Sequence, residues 1–373
     1  MMFLLDYVIS FFHNLIETFH KGKLFAYLSK EGNPDFNTED SYGWSPISRV
    51  IELENVEILK LVIYKSKGAD LNLPSCFQNT PLTCAIFMEN LKICEELINS
   101  GANVNQEDGN GWTPLTAAID RGNCEIVTIL STREANLNLI DSEGYTPLAY
   151  AIEDENVEMV KHLIDLGADV NQEAGNGWTP LVAAINRGNC EIVTILSTRE
   201  GSLNSIDSGG YTPLVYAIED EKVEMVKHLI DLGADVNQED GKGWAPLTVA
   251  IYKNNLELIT LLSKNGAYLN LIDSSWLTPL TYAIEEKKNM EIVKLLVEND
   301  ADFNNHGPDW LTPFQRAILD NEKEMVKLFM ENGADFKIRT RSLQVQHKHD
   351  SFELAMKEDQ MNILKQLLHY SEK

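Results

Sequence analysis

The chain has 373 residues, a formal net charge of −26 from 57 acidic and 31 basic side chains, and an ordinary hydrophobic content of 44%. That balance repels phosphate backbones and anionic surfaces, which argues against nucleic acid as a partner and makes a membrane surface a poor one. No internal linker rich in Pro, Gly or Ser breaks the pattern, so general disorder is excluded as well.

At the N-terminus, Met1 to Phe12 is apolar but lacks a basic leading region and a small-residue cleavage site, and Asp6 interrupts it. It is also far short of the roughly 20 apolar residues that a membrane span needs. Leu4, Val8, Phe11, Leu15 and Phe19 recur at helical spacing, which predicts an amphipathic helix packed on the first repeat. Lys23 to Asn37 reads as the second helix and loop of the same unit, so residues 1–37 are expected to form an N-terminal cap.

Beyond this segment a ladder of prolines begins. Pro46, Pro81, Pro114, Pro147, Pro180, Pro213, Pro246, Pro279 and Pro313 are nine of the chain's 12 prolines, mostly spaced by 33 residues. A fixed period of this size marks stacked supersecondary units, none of which buries its apolar face without a neighbour. In Asp108 to Leu130, Gly111 supplies positive φ in a turn, Thr113 caps a helix, and Pro114 takes its first position, where a missing N–H costs nothing. Leu115, Ala118 and Ile119 share one face of that helix. Gly122 breaks it, and Ile126, Val127, Ile129 and Leu130 form the buried stripe of a second helix.

Thr-Pro-Leu stands at 80–82, 113–115, 146–148, 179–181, 212–214 and 278–280, and loop endings such as Gly101-Ala102-Asn103-Val104-Asn105 accompany it. This pattern resembles the ankyrin-repeat family. The resemblance implies an all-α solenoid of helix-turn-helix units with finger loops, about nine full repeats over 38–338. The family's His after Thr-Pro-Leu is absent, replaced by Thr83, Thr116, Ala149, Val182, Val215, Thr248 and Thr281, which puts a turn-bracing hydrogen bond in doubt. Trp276 and Trp310 occupy the place of the turn glycine, so local distortion is expected there. The loop asparagines Asn105, Asn171 and Asn237 match the family position that an asparaginyl hydroxylase modifies, with loop hydrogen bonding as the plainer role.

A second period overlies the first. Glu107–Gln172 and Glu173–Gln238 are nearly identical 66-residue blocks that differ at about nine positions. Recent duplication explains this, and a partner with its own repeat is the sharper alternative. Residues 339–373 hold a basic loop followed by a degenerate capping repeat; Lys337, Arg339, Arg341, His347, Lys348 and His349 supply its charge, and the H-x-H pair has no further ligand spacing that would mark a metal site.

All the tryptophans fall just before a ladder proline. Trp44, Trp112, Trp178 and Trp244 directly precede the Thr-Pro or its variant, and Tyr145 and Tyr211 fill that place in the intervening repeats. The resemblance places this position on the finger-and-inner-helix surface that the family uses for binding. Asp120, Arg121, Glu153, Asp154, Arg187, Glu219 and Asp220 are the charged neighbours on the inner helices. Aromatics interleaved with carboxylates favour a Lys/Arg-rich protein or peptide, and packing of the rings as filler is the competing role.

No P-loop, H-E-x-x-H or G-x-S-x-G is present, and no nucleophile, base and orienter are seen to converge, so neither an enzyme nor a cofactor is expected. Cys76, Cys84, Cys94, Cys124 and Cys190 have no CxxC spacing; they read as reduced core residues of a cytoplasmic protein. The expected function is that of a monomeric interaction scaffold or adaptor. An effector that an intracellular bacterium delivers to the host cytosol, or a membrane-associated module acting through the N-terminal helix, are the alternatives.

Overall fold

The computed structural model describes residues 37, 45–66, 70–74, 78–272, 277–286, 289–304, 311–335, 340–341, 348–357 and 360–371. The expected N-terminal helices, Trp44, Cys76, Trp276, Trp310 and most of the basic stretch 337–349 lie outside them.

Among the described residues there are 20 helices, arranged in pairs. In chain order they are α1 Pro46–Glu52, α2 Val56–Ser66, α3 Pro81–Phe87, α4 Leu91–Asn99, α5 Pro114–Asp120, α6 Cys124–Thr132, α7 Pro147–Glu153, α8 Val157–Asp165, α9 Pro180–Arg187 and α10 Cys190–Thr198. They continue with α11 Pro213–Glu219, α12 Val223–Asp231, α13 Pro246–Tyr252, α14 Leu256–Lys264, α15 Pro279–Glu285, α16 Met290–Glu298, α17 Pro313–Leu319, α18 Lys323–Glu331, α19 Ser351–Lys357 and α20 Met361–Ser371. Every ladder proline is the first residue of an inner helix.

The chain forms two compact units, residues 1–183 and 184–373, with α9 spanning the division. In the first, inner helices α1, α3, α5 and α7 pack in series, and so do outer helices α2, α4 and α6. In the second, α11, α13, α15, α17 and α19 form the inner row and α12, α14, α16, α18 and α20 the outer row. The equivalent alanines Ala85, Ala118, Ala151, Ala184, Ala217, Ala250, Ala283 and Ala317 are all fully buried, and Leu115, Ile119, Ile126, Val127 and Leu130 form the core of their repeat. Ile129, expected in the same stripe, is only half-buried, because it falls at the edge of the apolar face.

Local chemistry starts and stops these short helices. Thr113 accepts from the Thr116 backbone N–H at 3.1 Å, while the Thr116 hydroxyl accepts from the Thr113 N–H at 2.9 Å. The same reciprocal box forms between Thr278 and Thr281. Thr116 and Thr281, at the family's histidine position, therefore brace their turns themselves, whereas Ala149 and Val215 leave only the forward half of the cap, from Thr146 and Thr212. Asn90, Asn123, Asn156, Asn189 and Asn255 cap the outer helices. Between inner and outer helices the chain passes through the left-handed region at Gly122 (φ 64°), but equally at Glu155 (φ 52°) and Glu221 (φ 53°), where a side chain makes that conformation costly.

Further bonds link one repeat to the next. The Asn105 side-chain oxygen accepts from the Asn136 N–H at 2.7 Å, and the Asn237 oxygen from the Tyr268 N–H at 2.7 Å, so these loop asparagines form a structural ladder. His162 Nε2 lies 2.8 Å from Thr128 Oγ1 and 3.1 Å from the Cys124 carbonyl, and His228 repeats this with Thr194 and Cys190. Of the cysteines expected in the core, Cys94 is buried, with its thiol pushed up to about 12 by that burial. Cys84 and Cys124 are half-buried and Cys190 is exposed, because the last two sit at the first turn of an outer helix rather than on its apolar stripe.

In the basic segment, β1 Thr340–Arg341 and β2 Lys348–His349 pair antiparallel, with Thr340 opposite His349 and Arg341 opposite Lys348. The helix pair α19 and α20 follows, and Leu354, Ala355, Ile363 and Leu367 are buried.

Candidate binding surface

Four of the five described fingers place their aromatic residue through one buried carboxylate. Asp108 Oδ1 accepts from the Asn110 and Trp112 N–H groups at 2.9 and 3.0 Å, and Asp141 does the same for Glu143 and Tyr145. Asp240 holds Lys242 and Trp244 likewise, and Asp207 holds Tyr211 at 3.0 Å. These four aspartates are 6–7% exposed. In the Trp178 finger Ala174 stands in the aspartate's place, and Asn176 Oδ1 accepts from the Trp178 N–H at 2.9 Å instead. Gly111, Gly144, Gly177, Gly210 and Gly243 close the turns at φ of 80–89°.

Trp112, Tyr145, Trp178, Tyr211 and Trp244 are all half-buried. In the first unit the Trp112 indole stacks on Tyr150 of the next inner helix, with centroids 5.5 Å apart, and meets the Phe87 ring edge-on at 6.2 Å. Tyr145 leans on Tyr150 at 4.9 Å. Burial first, and the neighbouring Asp141 carboxylate second, push the Tyr150 phenol well above its ordinary value. Arg121 lies 5.1 Å over the Phe87 ring and 3.4 Å from Asp120. A cleft lined by Tyr145, Glu153, Asn176 and Trp178 brings three of the expected site residues together.

In the second unit Tyr211 contacts Tyr216 at 5.1 Å, and Trp244 meets Tyr252 and Tyr282 edge-on at 5.6 and 5.8 Å. Its charges are engaged internally: Glu219 pairs with Lys253 at 2.8 Å and Asp220 with Lys222 at 2.9 Å. Lys222 also donates to the Ile185 and Asn186 carbonyls at 3.1 and 2.7 Å. It replaces the cap that its counterpart Asn156 provides, and α12 has no side-chain cap. Asp154 and Arg187 are exposed on their inner-helix ends.

The inner-helix tyrosines are the residues that the sequence reading did not single out. Their signal is the third residue after the ladder proline, where Tyr150, Tyr216 and Tyr282 alternate with Ala117, Ala183 and Val249. The duplicates differ in charge in one direction as well. Ala174, Asn186 and Gly209 replace Asp108, Asp120 and Glu143, and Lys222 replaces Asn156, so the first block is the more acidic.

Paired short helices, proline-started and linked by aspartate-braced fingers, define a repeat protein that presents turn and inner-helix side chains on one face of each unit. A family model described as ankyrin repeats (3 copies) matches residues 12–108, 105–174, 155–240, 224–307 and 247–340, and the chain belongs to the ankyrin-repeat family. Among solved structures, the crystal structure of the ankyrin repeat domain of Bcl-3, described as a unique member of the IkappaB protein family, is similar. The TM-score is 0.54 and the identity 27%, over 59% of this chain and 98% of that one. Ankyrin repeats are in general protein–protein interaction modules and typically non-enzymatic. Among the described residues no helix is long and apolar enough to cross a membrane.

Proposed function

We propose that this chain is an interaction scaffold or adaptor that holds a protein or peptide on its finger-and-inner-helix face, with Lys/Arg-rich segments favoured. The observation that carries the reading is the first-unit cleft, where Tyr145 and Trp178 flank Glu153 on a platform that Trp112 and Tyr150 extend. Rigid half-buried rings supply contact area at low entropic cost, and a carboxylate among them selects cations.

The test is selection from a random peptide display library on the wild type beside a variant carrying Trp112→Ala, Trp178→Ala and Trp244→Ala. Binders that depend on the aromatics, are rich in Lys or Arg and weaken as salt rises support the reading. Identical selections on both proteins sink it.

A further inference from the structure

Fingers one 66-residue period apart, at Tyr145/Asn176 and Tyr211/Lys242, allow a comparison inside one molecule. In the second unit, Lys242 Nζ donates to the Tyr211 hydroxyl at 2.6 Å and lies 4.4 Å from the Tyr211 ring centroid. The bond to Tyr211 and the charges of Asp240 and Glu219 favour the ammonium form. Glu219, which pairs with Lys253 at 2.8 Å, is the smallest of these contributions.

The equivalent fingers of the first unit keep the same backbone register. Gly175 N–H donates to the Gly144 carbonyl at 2.7 Å, as Gly241 does to Gly210 at 2.7 Å. A Cβ on Gly175 would come within 2.9 Å of the Gly144 Cα, and one on Gly241 within 3.0 Å of the Gly210 Cα, so both pairs of fingers touch at glycine. Asn176 therefore stands to Tyr145 as Lys242 stands to Tyr211. Its shorter side chain turns back to the Trp178 N–H. Lys242 is an exposed side chain held over Tyr211 in the second unit; beside Tyr145 there is instead a cleft whose lining includes Glu153, Asn176 and Trp178 and no Lys or Arg.

We infer that this cleft takes the ε-ammonium of a lysine side chain presented by a partner, seated against the Tyr145 ring and hydroxyl with Glu153 as the counter-charge. The inference rests on the reading of this face as a binding surface, and it names the residue that the face selects. Lysine is chosen because the internal occupant is a point donor; the wider planar guanidinium of arginine makes a different set of bonds.

The test uses the full chain labelled with 5-fluorotryptophan, whose six tryptophans give separate fluorine signals, with Trp178 assigned through Trp178→Phe. The probes are the capped peptide Gly-Gly-Lys-Gly-Gly and its counterparts with norleucine or arginine in place of lysine. The lysine peptide is expected to move the Trp178 signal, with binding about tenfold weaker for norleucine. The double variant Ala174→Asp, Asn176→Lys copies the 240–242 turn and should abolish the response. Lys242→Asn should open the second site and make the Trp244 signal respond too.

An unmoved Trp178 signal, an equal response to norleucine, or a response that survives Asn176→Lys in a variant of unchanged thermal midpoint overturns the inference. If library binders still depend on the aromatics in that event, the wider reading of the face stands while the lysine assignment falls. If Trp178 responds as expected and no such binders emerge, the cleft stands and the wider face falls.

Discussion

The Trp112 indole lies stacked on the Tyr150 ring of the following repeat, 5.5 Å between centroids and 27° between planes. Trp244 and Tyr282 repeat the pair at the same sequence offset, edge-on at 5.8 Å. The alternation of Trp with Tyr fingers thus has a packing reason within the chain. A Trp finger is followed by an inner helix carrying Tyr, while its own inner helix carries Ala117 or Val249. A double-mutant cycle of Trp112→Ala and Tyr150→Ala, read from urea unfolding, should give a coupling of about 1 kcal/mol. A coupling indistinguishable from zero would show that the stack is incidental.

Tyr150 also predicts an alkaline weakness. Its folded pKa is raised above the ordinary 10.0, so the native state keeps a proton that the unfolded chain releases. This contribution is complete below pH 10 and declines as pH rises above the unfolded value. Wild type should lose stability above pH 10 with a steeper slope than Tyr150→Phe, and parallel slopes would exclude the effect.

The turn between α7 and α8 passes through Glu155 at φ 52°, where the neighbouring repeat has Gly122 at φ 64°. Replacing Glu155 by Gly removes the clash of Cβ with the carbonyl and should raise stability by about 0.5–1 kcal/mol, with Gly122→Ala costing about 1 kcal/mol. Urea midpoints that move the other way would show that Glu155 is held there by contacts worth more than the strain.

Capping offers a graded comparison. Thr113 takes part in a reciprocal box with Thr116, while Thr146 makes only the forward bond to Ala149. Thr113→Ala is expected to cost about 1–2 kcal/mol and Thr146→Ala about 1 kcal/mol, and Ala149→Thr should recover a few tenths by completing the box. Thermal denaturation of the three variants reads the order directly.

The repeat itself was legible residue by residue. Pro at the first helical position, Thr before it and a small residue four places on each act locally, so the ladder marked the inner helices from α1 to α17 and the alanine row marked the core. The candidate face was half legible. Trp112, Tyr145, Trp178, Tyr211 and Trp244 were visible from their place before the ladder proline, but Tyr150, Tyr216 and Tyr282 were not, since an aromatic inside a helix reads equally as core. The charged neighbours were visible as a set, yet their pairing was not: Glu219 meets Lys253 only because helices distant in sequence stand side by side, and Lys222, which pairs locally with Asp220, also reaches the Ile185 and Asn186 carbonyls of the preceding repeat.

By itself the sequence determined the fold, because caps, turn glycines and apolar stripes act over a few residues and recur with a constant period. Tertiary structure alone decided what fingers one 66-residue period apart do with their side chains. Lys242 becomes the occupant of Tyr211, while Asn176 leaves a cleft beside Tyr145, because the side chain of one finger reaches the ring of the finger before it. That distance is set by helix packing across repeats, and no local rule encodes it.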